Sequence, residues 1–375
     1  MHKTLEFEPD TFGPEKILVV YDTKTRMLGY LVIDNTACGM GKGGVRMASD
    51  LTFNDVIRLA RTMTWKNAAA DLPLGGAKGG IVADPKDPGR EAIIRAYAKA
   101  LRNIIPREYI FGLDMGLTES DAALVVDELG DPKASTGKPA FLGGIPYDKL
   151  MITGYGVVES VKIACEFTGI DFSQATLAIQ GFGAVGKGVA KFAHEMGATV
   201  VAVSDISGAL YDPKGLDVSE LMRTMEESGK VIDYRKDCRI PLGEELLLPV
   251  DILVPAAKGD VIGQANARKI KAKIVAEGAN FATSVDAQKV LHSRGIWFVP
   301  DFIANAGGVI SAYIELINGT SSQAFESTRE KIQKNTKEMF EKSLDAKKPP
   351  LDAALEMARE RVINAMKAKG KWRQP

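Results

Sequence analysis

Short apolar runs alternate with amphipathic stretches through the first third of the chain. KILVVYD (16–22) and MLGYLVIDN (27–35) are rich in β-favouring residues and flank a polar TKTR, which predicts a β-hairpin. Residues 52–70 carry apolar side chains at helical spacing and predict a helix. GGIVADP (79–85) and EYIFGLDMG (108–116) predict strands, each followed by a predicted helix. Strands that alternate with helices indicate an α/β sheet.

A break in this pattern divides the chain. DPKASTGKPAFLGGIP (131–146) is dense in proline, glycine, serine and threonine, has no apolar period, and is the predicted linker. Beyond it, residues 175–205 show in order a strand, a glycine turn, a helix, a strand and an acid, as in a Rossmann unit. Short β-rich runs at 251–257, 273–280 and 295–301 extend this unit to a doubly wound sheet.

The glycine turn GFGAVG fits the pattern G-x-G-x-x-G through Gly181, Gly183 and Gly186. Such glycines turn the chain tightly, admit a pyrophosphate to backbone N–H groups, and let the helix pack on the strand. Asp205 ends the next strand, about 20 residues on, where a carboxylate binds ribose hydroxyls. A carboxylate repels a 2′-phosphate, so NAD is the predicted cofactor. NADP stays possible because a nearby cation would offset that charge.

Composition excludes several classes of protein. The 375 residues are 45% hydrophobic and 26% charged, which allows a large core in a chain longer than one core usually grows. Basic and acidic residues both number 48, so no strong field favours nucleic acid or a membrane surface as a partner. Three cysteines without a CxxC pair indicate free thiols and no metal site. No apolar run approaches about 18 residues and the N-terminal MHKTLEFEPD is polar, so a cytoplasmic protein is expected.

Lysines set among glycines are the candidate chemistry. Lys78 lies in DLPLGGAKGG (71–80), whose small residues would leave its ammonium poorly hydrated. Desolvation and a second cation both lower a lysine pKa toward the range of a general base. Lys66 is placed to supply that second charge while it binds a substrate carboxylate. Lys42 is also followed by two glycines, and Asp114 offers a carboxylate for proton exchange. Together they describe a site for an anionic substrate that loses a hydride and a proton.

Six motifs, in this order, carry a resemblance to a known family: KGGVRM (42–47), MTWKNAAADLPLGGAKGGI (63–81), DMG (114–116), GFGAVG (181–186), KIVAEGAN (273–280) and PDFIANAGGV (300–309). From about residue 15 to its C-terminus the chain resembles the glutamate/leucine/phenylalanine/valine dehydrogenase family. The resemblance implies reversible NAD(P)-dependent oxidative deamination of an L-amino acid to the 2-oxo acid and ammonia, in a cleft between two domains. It also implies a homo-oligomer, hexameric or octameric.

The implied fold is α/β with two domains. Residues 1–146 would form an α/β domain for substrate binding and oligomerisation, and residues 147–334 a Rossmann domain that binds NAD(P). The tail carries two helical patterns interrupted by KKPPLD (347–352). Helices over about 335–375 would return to the first domain, as the C-terminus of the family does.

The resemblance also assigns roles. Lys78 would be the base that activates water against the imine, Lys66 would bind the α-carboxylate, and Asp114 would exchange protons with the amino group or ammonia. Further substrate positions are Gly44, Gly76 and Ala312. Further cofactor positions are Thr153, Ala184, Val185, Ile206, Ala256, Ala257, Asn280 and Asn305. For the polar ones, a structural role as caps or turn formers is the alternative.

The substrate depends on Lys42. In the glutamate enzymes of the family this lysine binds the side-chain carboxylate, and the leucine-type enzymes have an apolar residue there. A leucine substrate would leave the ammonium unpaired, so Lys42 favours glutamate. Two features favour a branched-chain or aromatic substrate instead. The serine usual in glutamate enzymes is Ala312 here, with Ser311 one residue early, and both the chain length and the ending of GGVRM are nearer the leucine type.

Two other classes of protein make different predictions. A catalytically silent NAD-binding regulator would be expected to have lost a lysine or the aspartate, yet Lys66, Lys78 and Asp114 are all present. A 2-hydroxy-acid dehydrogenase commonly uses a histidine to take the hydroxyl proton. The chain has only three histidines and none lies in a motif.

Overall fold

The computed structural model describes residues 7–372, which form two compact units. Within that range, the first unit contains the residues up to Pro146, Ala312–Thr320 and those from Met357 onward, and the second contains Tyr147–Ser311 and Ser321–Glu356. Residues 1–6, whose polar character entered the expectation of a cytoplasmic location, lie outside the described residues.

The first unit is built on a mixed sheet. Its strands are β1 Lys16–Tyr21, β2 Leu28–Asn35, β3 Gly41–Lys42, β4 Val45–Met47, β5 Gly75–Ile81 and β6 Tyr109–Ile110. Its first three helices are α1 Phe53–Ala69, α2 Arg90–Ala100 and α3 Glu119–Leu129. The strand order is β1-β2-β5-β3-β6, and β4 also pairs with β5. β1 and β2 pair antiparallel, which confirms the predicted hairpin.

Strand β5 differs from its prediction. We predicted a strand over 79–85, but the strand runs over Gly75–Ile81 and all seven residues are buried. Because the glycines of β5 have no side chains, α1 packs directly against the backbone of the strand. A β-carbon on Gly76 would overlap Thr64 of α1. Lys78 therefore lies in a buried central strand.

The second unit is a doubly wound sheet. Its strands are β7 Thr176–Gln180, β8 Thr199–Asp205, β9 Gly208–Tyr211, β10 Arg239–Ile240, β11 Ile252–Pro255, β12 Ile274–Ala276 and β13 Trp297–Val299. Its helices are α4 Ile152–Thr168, α5 Ala184–Glu195, α6 Val218–Ser228, α7 Gln264–Ala267, α8 Val285–Ser293, α9 Asp301–Ala304 and α11 Ser321–Asp345. The strand order is β10-β9-β8-β7-β11-β12-β13. The neighbours β8, β7, β11, β12 and β13 pair in parallel, which confirms the Rossmann arrangement, and β9 and β10 form an antiparallel edge.

Two helices contribute to both units, α10 Gly307–Leu316 and α12 Pro350–Ala368. Helix α11 belongs wholly to the second unit, where Thr328 and Ile332 pack against Gly156 of α4. The C-terminal segment that joins the first unit therefore begins at Met357, later than the predicted start near residue 335. There the Arg361 guanidinium donates to the carbonyls at the end of α1.

The predicted linker is part of the first unit. Residues 135, 136 and 138 are buried, and Ser135 forms a β-bridge with Phe111. The segment lacks an apolar period because several of its buried residues, those at 135, 136 and 138, are polar and hydrogen-bonded.

Candidate active site

A buried lysine and a half-buried aspartate form an ion pair at the centre of the first unit. The Lys78 Nζ is 2.7 Å from Asp114 Oδ2, and Lys78 is 6% exposed. The Arg46 Nε donates to the same carboxylate oxygen at 3.1 Å. Gly44 allows this approach, because a β-carbon there would overlap the Leu113 carbonyl and the Asp114 side chain.

The electrostatics favour an amine that gives up its proton readily. Burial lowers the pKa of Lys78, and the Asp114 carboxylate only partly opposes this. The second cation that lowers the Lys78 pKa is Arg46, where the sequence suggested Lys66. Lys66 lies half-buried in the last turn of α1. Burial acts to raise the pKa of Asp114, but Lys78, Arg46 and a backbone N–H outweigh it and leave that pKa below its ordinary value.

Lys42 is a second buried amine in this unit. It is 5% exposed, and its Nζ donates to the Phe111 carbonyl at 3.1 Å. The Asn67 side-chain amide holds the Lys42 carbonyl at 3.2 Å. Burial lowers the pKa of Lys42 to about 7, with Lys78 and Lys138 acting in the same direction and Glu315 against it. The amine is therefore partly protonated near neutrality.

Sequence reasoning missed a buried ion pair close to these groups. The Lys138 Nζ is 2.7 Å from Glu315 Oε1. The Glu315 carboxylate also accepts the backbone N–H groups of Gly137 (3.1 Å), Lys138 (3.3 Å) and Ile145 (3.1 Å). An acid inside the apolar VISAYIEL stretch was the available signal.

Ala312 lies one helical turn before Glu315 on α10. The neighbouring Ser311 does not replace the missing hydroxyl, because its Oγ is buried and donates to the Gly307 carbonyl within the helix at 2.8 Å.

A cavity of about 490 Å³ lies at the carboxyl ends of β7, β8 and β11 in the second unit, where a dinucleotide binds in this fold. It is lined by six predicted cofactor residues: Gly181, Gly183, Asp205, Ile206, Ala256 and Ala257. The Ile206 side chain is exposed.

The glycine turn fits a diphosphate. Gly181 has φ of +90°, and a β-carbon there would overlap the backbone at Ala257. A β-carbon on Gly186 would overlap the Gly181 carbonyl. At Gly183 a β-carbon would meet nothing within 4 Å, so this position opens onto free space at the first turn of α5, which holds Ala184 and Val185. A helix N-terminus that faces open space suits an anion.

Asp205 is held in place by its neighbours. Its Oδ1 accepts the Ser207 N–H at 2.7 Å and the Ser207 hydroxyl, and its Oδ2 accepts the Val231 N–H at 3.0 Å. An oxygen that accepts one hydrogen bond has a lone pair left for another. Oδ2 is therefore the atom placed to accept a ribose hydroxyl.

The remaining polar cofactor positions fall in two places. The Asn305 side-chain amide donates to Asn280 Oδ1 at 2.9 Å and to the Gly278 carbonyl at 3.3 Å. Thr153 lies in the first turn of α4, and its hydroxyl faces Gly308. The first pair joins the loop after β12 to the end of α9.

Within residues 7–372, none of the helices has the length and apolar character needed to cross a membrane. Over the same range, no cluster of three or more histidine, cysteine or acidic side chains is arranged to hold a metal ion.

This protein combines a Rossmann unit with a unit that contains buried lysines of lowered pKa. That combination defines it as a dinucleotide-dependent dehydrogenase. Family models described as Glutamate/Leucine/Phenylalanine/Valine dehydrogenase and as its dimerisation domain match residues 143–370 and 16–131. The chain belongs to the glutamate/leucine/phenylalanine/valine dehydrogenase family.

Individual relatives agree with this assignment. A glutamate dehydrogenase of Aeropyrum pernix is 40% identical, over 96% of this chain and 92% of the relative. An NADP-specific glutamate dehydrogenase of Saccharolobus shibatae is 37% identical, over 92% of this chain and 85% of the relative. An NAD-specific glutamate dehydrogenase of Halobacterium salinarum is 34% identical, over 92% of this chain and 82% of the relative. The crystal structure of glutamate dehydrogenase from Peptoniphilus asaccharolyticus superposes with a TM-score of 0.84 at 29% identity, covering 96% of this chain and 93% of that one.

Proposed function

We propose that this protein catalyses the reversible NAD(P)-dependent oxidative deamination of L-glutamate to 2-oxoglutarate and ammonia. The pair of the buried Lys78 and the half-buried Asp114 carries the proposal, since it combines an amine of lowered pKa with a carboxylate at hydrogen-bonding distance. Glutamate dehydrogenases at 34–40% identity support the substrate.

When bound in the cavity of the second unit, NAD(P) would supply the acceptor for the hydride of the substrate Cα. Lys66 and Lys42 bind the α-carboxylate and the side-chain carboxylate, and Asp114 takes a proton from the amino group. Lys78 then removes a proton from the water that attacks the imino carbon. Addition of water gives a carbinolamine. The Lys78 ammonium formed in that step then returns its proton to the carbinolamine nitrogen, which leaves as ammonia. The short contact between Lys78 and Asp114 suits them to exchange protons.

Dry surroundings make the proposed base effective. Burial favours the neutral form of Lys78 even though the Asp114 carboxylate, which orients the amine, stays beside it. The Arg46 guanidinium is always protonated and helps to lower the pKa of Asp114, so Asp114 readily passes on the proton that it takes.

The cofactor site belongs to the second unit. Asp205 favours NAD through repulsion of a 2′-phosphate, while relatives of both specificities support NAD with NADP possible. We further propose that the first unit binds substrate and mediates homo-oligomer formation, hexameric or octameric. The matched dimerisation-domain model supports the oligomer. A cytoplasmic location remains part of the proposal.

A panel of oxo acids tests the substrate directly. With ammonia and each reduced cofactor in turn, we expect 2-oxoglutarate to give the highest kcat/KM, measured by loss of NADH or NADPH absorbance. Preference for 4-methyl-2-oxopentanoate or an aromatic oxo acid would pass the assignment to the leucine-type enzymes. Turnover without ammonia would instead indicate a 2-hydroxy-acid dehydrogenase.

The pH dependence tests the role of Lys42. Its ammonium form, dominant below a pKa of about 7, attracts the side-chain carboxylate, and its neutral form above that pH does not. The ratio of kcat/KM for glutamate to that for norvaline should therefore fall above about pH 7, by up to about tenfold per pH unit. The titration of Lys78 cancels in this ratio because both substrates need it. A ratio that stays constant on raising the pH would contradict the assignment.

A further inference from the structure

Two buried carboxyl groups meet beside the Asn280–Asn305 pair, and the reaction proposed above does not use them. Glu277 follows β12 and is 1% exposed, and Asp301 begins α9 and is 6% exposed. They bound, in sequence, the segment that contains Asn280.

On one side these acids hold the loop over 278–283. The Thr283 N–H donates to Glu277 Oε1 at 2.6 Å, and the Phe281 N–H donates to Asp301 Oδ2 at 3.0 Å. Phe281 has φ of +53°, a left-handed conformation uncommon for an aromatic residue. Such a conformation persists only where the surroundings fix it, and the Asp301 carboxylate is a direct partner of that residue. Asn280 is the residue before this turn.

On the other side the acids fix Asn305. Glu277 Oε2 accepts the Asp301 N–H at 2.9 Å, and the Asp301 carbonyl accepts the Asn305 N–H at 2.8 Å. The Asn305 amide then reaches back to the Gly278 carbonyl and to Asn280. Glu277 and Asp301 thus contact both segments that carry the two asparagines.

The arrangement costs stability. Burial and the Asp301 carboxylate together raise the pKa of Glu277 to about 8. Two acids buried side by side are unfavourable unless their hydrogen bonds are needed. A costly arrangement that orients two polar residues, here two that are predicted to bind the cofactor, is typical of functional support.

We propose that Glu277 and Asp301 are positioning residues for the nicotinamide end of the cofactor, and that they act by holding Asn280 and Asn305 in one fixed geometry. The inference rests on the proposed function to the extent that these asparagines contact the nicotinamide or its ribose. It makes no use of the identity of the amino acid substrate.

The test compares NADH with ADP-ribose, which lacks the nicotinamide ring. In the full-length Glu277→Gln variant, an NH₂ group replaces one of the two carboxylate oxygens. This group is a hydrogen-bond donor, so it cannot accept the backbone N–H that the oxygen accepted. We expect the Kd for NADH to rise about tenfold, as for one lost buried hydrogen bond, while the Kd for ADP-ribose is unchanged. Asp301→Asn is expected to behave alike, and Asn305→Ala should reproduce the same selectivity. Calorimetry gives both affinities.

Glu159→Gln is the matched control, because Glu159 is a buried carboxylate of the same unit that bonds Lys162 and Gln333. It should weaken neither ligand. Equal losses for NADH and ADP-ribose in Glu277→Gln would show a merely structural role, and no loss for either would also overturn the proposal. If the wild-type chain binds NADH but does not oxidise glutamate, the proposed substrate fails while this test still stands.

Discussion

Replacing Lys78 with alanine is expected to lower kcat for glutamate oxidation by about 10³-fold. The variant loses the lysine amine that contacts Asp114, and with it the proposed base for water attack. NADH affinity should not change, because the dinucleotide cavity is formed by residues of the second unit. Steady-state rates and NADH titration on the same preparation measure the two effects and show that the variant is folded.

Lys78→Arg is the sharper variant of this experiment. Arginine keeps a cation beside Asp114 but does not lose its proton in the working pH range, so it should be about as inactive as alanine. Lys99→Ala changes an exposed lysine of the same unit and should leave kcat unaltered. An active Lys78→Arg variant would show that only the charge is required and that Lys78 is not the base.

The cofactor unit could be predicted because its signals are local. The strand, glycine turn, helix and acid occur within 175–205, and the structure gives steric reasons for two of the three glycines, Gly181 and Gly186. The lysines at 42 and 78 were predicted on the same basis, since glycines beside a lysine indicate a crowded backbone. The role of each remains a proposal.

The partners of these lysines could not be predicted, because distant segments supply them. Arg46 approaches the Lys78 site only because β4 pairs in parallel with β5, with Arg46 opposite Gly80. Lys138 and Glu315 are far apart in sequence, and Lys138 lies in a segment whose composition is that of a linker. Long-range pairing of this kind carries no periodic signal in a single sequence.

The same reasoning explains the misplaced boundaries in the tail. Helical periodicity predicts that α11 exists but not which apolar surface it covers. Its side chains Thr328 and Ile332 pack where Gly156 leaves room on α4, so the helix stays with the second unit. A glycine within a helix was the only sequence sign of that contact.

Replacing Lys42 with leucine is expected to lower kcat/KM for glutamate by about 10³-fold, because an unpaired buried carboxylate costs several kcal/mol. The same variant should improve norvaline or leucine by about tenfold, since an apolar side chain then replaces an amine that such substrates leave unpaired. The loss of glutamate activity should not be offset by residues 311 and 312. Ala312 has no hydroxyl, and the Ser311 hydroxyl already donates within the helix, so neither can hold a carboxylate in the absence of Lys42.

Norvaline serves as the internal control, because it has the backbone groups of glutamate without the side-chain carboxylate. Lys42→Met removes the charge with nearly the same shape and should give the same reversal of preference, which separates charge from packing. Parallel losses for glutamate and norvaline in both variants would mean that Lys42 supports the fold of the site and does not select the substrate. An unchanged preference would mean that the determinant of specificity is not the buried Lys42 amine, which donates to the Phe111 carbonyl at the end of β3.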